Sequence, residues 1–120
     1  IISLHVPETP QTTALIEHGF IEKTKKPFWI INTARGKNVV TKDLIEGLEK
    51  GKILGACLDV LEYEKSSFEE AQFTQKELAY LLQSEKVIIS PHIAGWSHQS
   101  KVKLAQTIVD KVKKIFFDTP

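Results

Sequence analysis

Short apolar runs alternate with amphipathic stretches along all 120 residues. Ile1 to Val6 is an apolar run closed by Pro7 and Pro10, the pattern of a buried strand running into a loop. Thr12 or Thr13 then stands where a helix cap belongs, ahead of Leu15, Ile16, Phe20 and Ile21 on roughly one helical face. Pro27 stops that helix, and Phe28-Trp29-Ile30-Ile31 reads as a second buried strand. After the loop Asn32-Thr33-Ala34-Arg35-Gly36, Thr41 is placed to cap a helix with Leu44, Ile45 and Leu48 at helical spacing, ended by Gly51. Ile53 to Leu58 reads as a third strand. A long polar stretch, Asp59 to Phe73, leads to a helix over about Gln75 to Gln83. Val87-Ile88-Ile89-Ser90 is the fourth strand, closed by Pro91, and a last helix spans about Ser97 to Phe117 with Val102, Ala105, Val109, Val112 and Phe116 as its apolar stripe.

Strands of near-continuous apolar residues separated by helices predict an α/β fold with a parallel sheet covered on both faces. Four strand–helix units in about 115 residues fit half of a doubly wound sheet, since a barrel needs about 250. In such sheets ligands bind outside the carboxyl ends of the strands.

Charge narrows the partners. Sixteen Lys and Arg stand against fifteen Asp and Glu, a net charge of +1, so neither a strongly basic nor a strongly acidic binding surface is expected. The lysines of the last helix, 101, 103, 111, 113 and 114, are interspersed with its apolar stripe and with Asp110. They read as a solvated face, and no nucleic acid is expected. No apolar run reaches the ~18 residues of a membrane span, so no membrane partner is expected either. One cysteine, Cys57, excludes a disulfide framework and reads as an inert core residue in a reduced, cytoplasmic setting. The chain contains no Met and opens on a strand-like Ile1-Ile2-Ser3-Leu4, which reads as an internal or C-terminal piece of a longer protein.

The four predicted strand ends each deliver chemistry to one edge: His5-Val6-Pro7, then Thr33-Ala34-Arg35-Gly36, then Asp59 with Glu62 and Glu64, then Pro91-His92-Ile93-Ala94-Gly95. An arginine fork binds a substrate carboxylate bidentately. A histidine paired with a carboxylate is a proton donor usable near neutral pH. Together they suit reduction of a carbonyl beside a carboxylate, although the same residue types also build structural ion pairs.

Four motifs carry a resemblance: Leu4-His5-Val6-Pro7, Ile31-Asn32-Thr33-Ala34-Arg35-Gly36, Gly55-Ala56-Cys57-Leu58-Asp59-Val60 with Glu64, and Ser90-Pro91-His92-Ile93-Ala94-Gly95. In order and spacing the chain resembles the D-isomer-specific 2-hydroxyacid dehydrogenases over essentially its whole length. The resemblance implies a Rossmann-type nucleotide-binding domain of which residues 1–120 are the second half, plus a long C-terminal helix. It implies hydride transfer between NAD and a small 2-keto or 2-hydroxy acid, of the phosphoglycerate or of the hydroxypyruvate/glyoxylate type. Arg35 would hold the substrate's carboxylate and carbonyl oxygen, His92 would be the acid–base residue, and Glu64 would pair with His92, with Glu62 as its rival two residues away. Asp59 would face the nicotinamide carboxamide. Thr33, Ala34, Ala94 and Gly95 would touch the cofactor through backbone, and His5 and Pro7 would line its cleft. A homo-oligomer is expected and no metal is.

The departures matter as much. The six glycines, 19, 36, 47, 51, 55 and 95, form no Gly-x-Gly-x-x-Gly turn, so the pyrophosphate site is missing and the choice between NAD and NADP stays open. The family's substrate domain is missing too. The 120 residues alone are therefore expected to be inactive and to bind cofactor poorly. A competing reading is a binding module that senses the dinucleotide without turnover. Trp96 reads equally as an active-site flank or a subunit contact.

Overall fold

Four parallel strands pair in sequence order. They are β1 (Ile2–Leu4), β2 (Phe28–Asn32), β3 (Ile53–Leu58) and β4 (Val87–Ile89), with β1 and β4 at the edges. The computed structural model describes residues 1–63 and 71–117, with side chains of the second stretch from Gln75 onward. The crossovers carry α1 (His18–Lys23), α2 (Thr41–Glu49) and α3 (Ala71–Gln83), and α4 (His98–Phe116) follows β4.

The strand registers sort the sheet into two faces. Ile2, Ile30, Ala56 and Val87 stand in one row and Leu4, Asn32, Leu58 and Ile89 in another. Both rows point at the helices, and their apolar members join Ile21, Leu44, Leu48 and Leu81 in the core, with Asn32 buried at its edge. Between them runs the row Ser3, Ile31, Cys57 and Ile88, on the opposite face. That face is bare: Ile88 is 68% exposed, and Trp29, lying over the position of Gly55, is 49% exposed. Right-handed crossovers that always step the same way put every helix on one face. Helix α2 accordingly packs between α1 and α3. Among the described residues no helix packs on the other face, and Cys57 sits half-buried there rather than in the core.

The first helix is also corrected. Thr12 and Thr13 cap nothing helical: their amides and hydroxyls bond back to Thr9 in a turn, and Ala14 at φ 54° breaks any helical path. Ile16 then forms a parallel bridge with Val39, and α1 starts only at His18, where the Glu17 carboxylate accepts the N–H groups of Gly19 and Phe20. Helix α2 ends as expected, with Gly51 at φ +72° closing it, but Thr41 is its first residue and not its cap. Its cap comes from elsewhere: Thr41 N–H donates to the Glu62 carboxylate at 2.7 Å.

Helix α4 starts at the Ser97 cap and leaves the body of the protein. Every side chain from Lys101 to Phe117 is exposed, including the expected apolar stripe. The radius of gyration is 18.1 Å, where a compact chain of this length gives on the order of 14 Å. Among the described residues no helix is long and apolar enough to cross a membrane.

Candidate active site at the carboxyl edge of the sheet

Strand β2 ends in Asn32, which is 1% exposed because its side chain folds the following turn. Its Oδ1 accepts the Ala34 N–H at 3.1 Å and its Nδ2 donates to the Arg35 carbonyl at 3.0 Å. Asn38, fully buried, closes the turn from the other side: its Oδ1 accepts the Arg35 N–H at 3.1 Å, and its Nδ2 donates to the Thr12 carbonyl at 2.8 Å. Two amide side chains thus hold the backbone of Arg35 on both flanks; the residue is exposed, and one guanidinium nitrogen donates to the Ala34 carbonyl at 2.6 Å. Gly36 is the third constraint. A Cβ there would stand 1.9 Å from the Leu61 carbonyl oxygen.

Strand β3 ends in Asp59, 3% exposed. Its backbone N–H donates to the Asn32 carbonyl at 2.9 Å, tying the β2 and β3 ends together. Its carboxylate gathers the turn after β4. Oδ1 accepts the Ser90 hydroxyl at 2.5 Å and the Ile93 N–H at 2.9 Å, and Oδ2 accepts the Ala94 N–H at 2.9 Å. Burial works to raise this carboxyl's pKa, but the Ser90, Ala94 and Ile93 hydrogen bonds, with His92 nearby, outweigh it and hold the pKa below the usual value. The folded value is the lower one, so the clamp stabilises fully at neutral pH and is lost only as pH falls below about 4.

Arg35 and His92 line one cleft of about 310 Å³, with Glu8, Lys37, Val60 and Glu62 also on its wall. The sheet therefore brings the expected carboxylate fork and the expected proton donor to the same space. Glu62, the other carboxylate expected near His92, accepts the Thr41 N–H at the start of α2 and lines the same cleft. Tyr63, its pKa pushed up to about 12 by burial and by Glu62 and Glu77, keeps its proton at neutral pH and is no competing acid. Lys37 is paired with Glu8 at 3.1 Å.

The remaining expected site residues are spread along the same edge. Thr33 is exposed and Ala34 buried in the Arg35 turn; Ala94 and Gly95 are exposed beyond His92. His5 and Pro7 are exposed after β1, with His5 Nε2 2.8 Å from the Ser3 hydroxyl. Glu64 and the stretch 65–70 lie outside the described residues, as do the side chains of 71–74. Trp96 is 69% exposed, with the Lys101 ammonium 5.7 Å from its ring centroid. The roles of Asn38 and Ser90 are invisible locally, since Asn38 reaches Thr12 and Ser90 reaches Asp59, 26 and 31 residues away. Asn32 carried a signal, a polar amide closing a strand just before a turn.

The profile of the D-isomer-specific 2-hydroxyacid dehydrogenase NAD-binding domain matches residues 1–94. The chain belongs to this family. Among its relatives, a D-specific alpha-keto acid dehydrogenase of Enterococcus faecium is 39% identical over 118 residues, covering 94% of this chain and 35% of that protein. The NAD-complexed D-isomer-specific 2-hydroxyacid dehydrogenase of Lactobacillus delbrueckii ssp. bulgaricus superposes with a TM-score of 0.78 at 33% identity, over 98% of this chain and 37% of that one. The D-lactate dehydrogenase of Aquifex aeolicus, complexed with NAD and lactic acid, gives 0.75 at 34%, over 95% and 36%. The chain thus spans about a third of the length of these relatives. For this family member, the donor set at Asp59 fits the amide end of a nicotinamide. Two donors occupy Oδ1 and one occupies Oδ2, so a carboxylate with about four acceptor positions retains capacity on Oδ2 for an amide N–H.

Proposed function

We propose that this chain is the second half of the NAD-binding domain of a dehydrogenase that reduces small, unphosphorylated 2-keto acids to 2-hydroxy acids. The observation that carries the reading is the common cleft of Arg35 and His92, each fixed by buried polar side chains at a strand end. Bound NADH supplies the hydride. Arg35 forks onto the substrate carboxylate and so orients the neighbouring carbonyl. His92 gives its proton to the carbonyl oxygen as the hydride arrives, and in the reverse direction takes it back. Glu64 pairs with His92. Asp59, Thr33, Ala34, Ala94 and Gly95, together with His5 and Pro7, border the nicotinamide end of the cofactor. The exposed row of α4 and the bare sheet face are buried against further polypeptide, whether another copy or the rest of a longer protein. The 120 residues alone lack the glycine-rich turn and are inactive.

The sequence pointed to a phosphoglycerate or hydroxypyruvate type. Two findings favour an unphosphorylated acid over the phosphorylated one. Several relatives are D-lactate dehydrogenases, and the lysine beside Arg35 is already paired with Glu8 rather than held for a phosphate. The test is NADH oxidation by the full-length protein offered pyruvate, hydroxypyruvate, glyoxylate and 3-phosphohydroxypyruvate. Preference for an unphosphorylated acid supports the proposal. Preference for the phosphorylated one defeats its substrate assignment, and NADH binding without any turnover points to the sensing module.

Arg35→Gln should lower kcat/KM for the keto acid on the order of 100-fold, mainly through KM, because the charged bidentate contact is lost while the proton donor stays. Steady-state kinetics on the two proteins checks it.

A further inference from the structure

We infer that Asp59 is a positioning residue whose carboxylate holds His92 in a left-handed backbone conformation and thereby sets the imidazole in the cleft. The inference rests on His92 being the proton donor. His92 has φ 55°, a region that a histidine enters only at a cost. That turn directs two successive amides, Ile93 N–H and Ala94 N–H, toward one place, the geometry of an anion-binding nest. The anion in it belongs to the chain: Asp59 Oδ1 and Oδ2 lie 2.9 Å from these two nitrogens. His92 N–H donates to the Asp59 carbonyl, also at 2.9 Å, so both the backbone and the side chain of Asp59 grip the turn. The Ser90 hydroxyl fixes Oδ1 from the strand side. Meanwhile every residue from Pro91 to Gln99 is exposed, so packing does little to hold the loop.

An exposed turn held this way has a signature: slow amide exchange where solvent is close at hand. In the full-length wild-type protein, without substrate or cofactor, the amides of Ile93 and Ala94 should exchange at least about tenfold more slowly than that of Gly95. In Asp59→Asn, which substitutes an N–H₂ donor for one acceptor, the two amides should exchange like Gly95 while core amides such as that of Leu48 stay protected. In the same variant kcat should fall about 100-fold, as for a misplaced catalytic group, and by a clearly larger factor than NADH affinity, which Asp59 serves only at the nicotinamide end. Unprotected Ile93 and Ala94 amides in the wild type overturn the inference, and this arm needs no variant to fold. A variant with unchanged kcat overturns it. So does NADH affinity that falls as far as kcat, which would leave the cofactor contact as the whole role of Asp59. If the wild-type protein turned over no keto acid, the proposed function would fall, and the exchange arm would still decide whether the clamp exists.

Discussion

His92→Asn in the full-length protein lowers kcat for 2-keto acid reduction by about a thousandfold or more, with NADH binding retained. General acid catalysis contributes about 10² to 10⁴ in rate, and among the described residues lining the Arg35 cleft His92 is the one imidazole, with Glu8 paired to Lys37. Glu62 is tied to the Thr41 amide, and Tyr63 holds its proton too tightly. Asparagine is the informative replacement. His92 sits at φ 55°, and asparagine tolerates that region better than alanine does, so the Asp59 clamp stays closed and only the proton is lost. The measurement is the rate of NADH oxidation at saturating keto acid, beside NADH affinity by fluorescence. A kcat within tenfold of wild type would remove His92 from the acid–base role.

The largest effect on stability is expected from Gly36→Ala. The added Cβ would meet the Leu61 carbonyl oxygen at 1.9 Å, its carbon at 2.3 Å and the Glu62 nitrogen at 2.8 Å. All three are backbone atoms, so no side chain can swing aside. Either the Arg35 turn or the segment after β3 has to move. Moving the turn breaks the Asn32 and Asn38 hydrogen bonds to Arg35, and moving Leu61 and Glu62 pulls the cap from α2. We expect a loss on the order of 3 kcal/mol or more, at the upper end for overpacking, together with loss of keto acid turnover. Urea unfolding of both proteins reads the first and steady-state kinetics the second. A variant of wild-type stability would show that the two backbones do not approach this closely.

The two expectations differ in how far the sequence reached them. His92 could be picked out from a histidine after a short apolar strand and a proline. Gly36 was visible only as part of a motif, because its constraint is a carbonyl 25 residues away.

The sequence by itself determined the alternation of strands and helices, the parallel sheet, and the edge at which Arg35, Asp59 and His92 emerge. These follow from local patterning: apolar runs, proline and glycine stops, and polar residues just after each strand. Where a local signal competed with a distant partner it misled. Thr12 and Thr13 looked like helix caps, but Ile16 is drawn into a bridge with Val39, and α1 has to start later. Only the tertiary structure decided that all three crossover helices share one face, because the handedness and direction of successive crossovers appear nowhere in the hydrophobic pattern. It alone decided that Asp59 spends its carboxylate on the His92 turn and that Asn38 ties the Arg35 turn to Thr12. Those hydrogen bonds join residues far apart in the chain, and nothing in a run of neighbouring residues encodes which distant amide a buried carboxylate will meet.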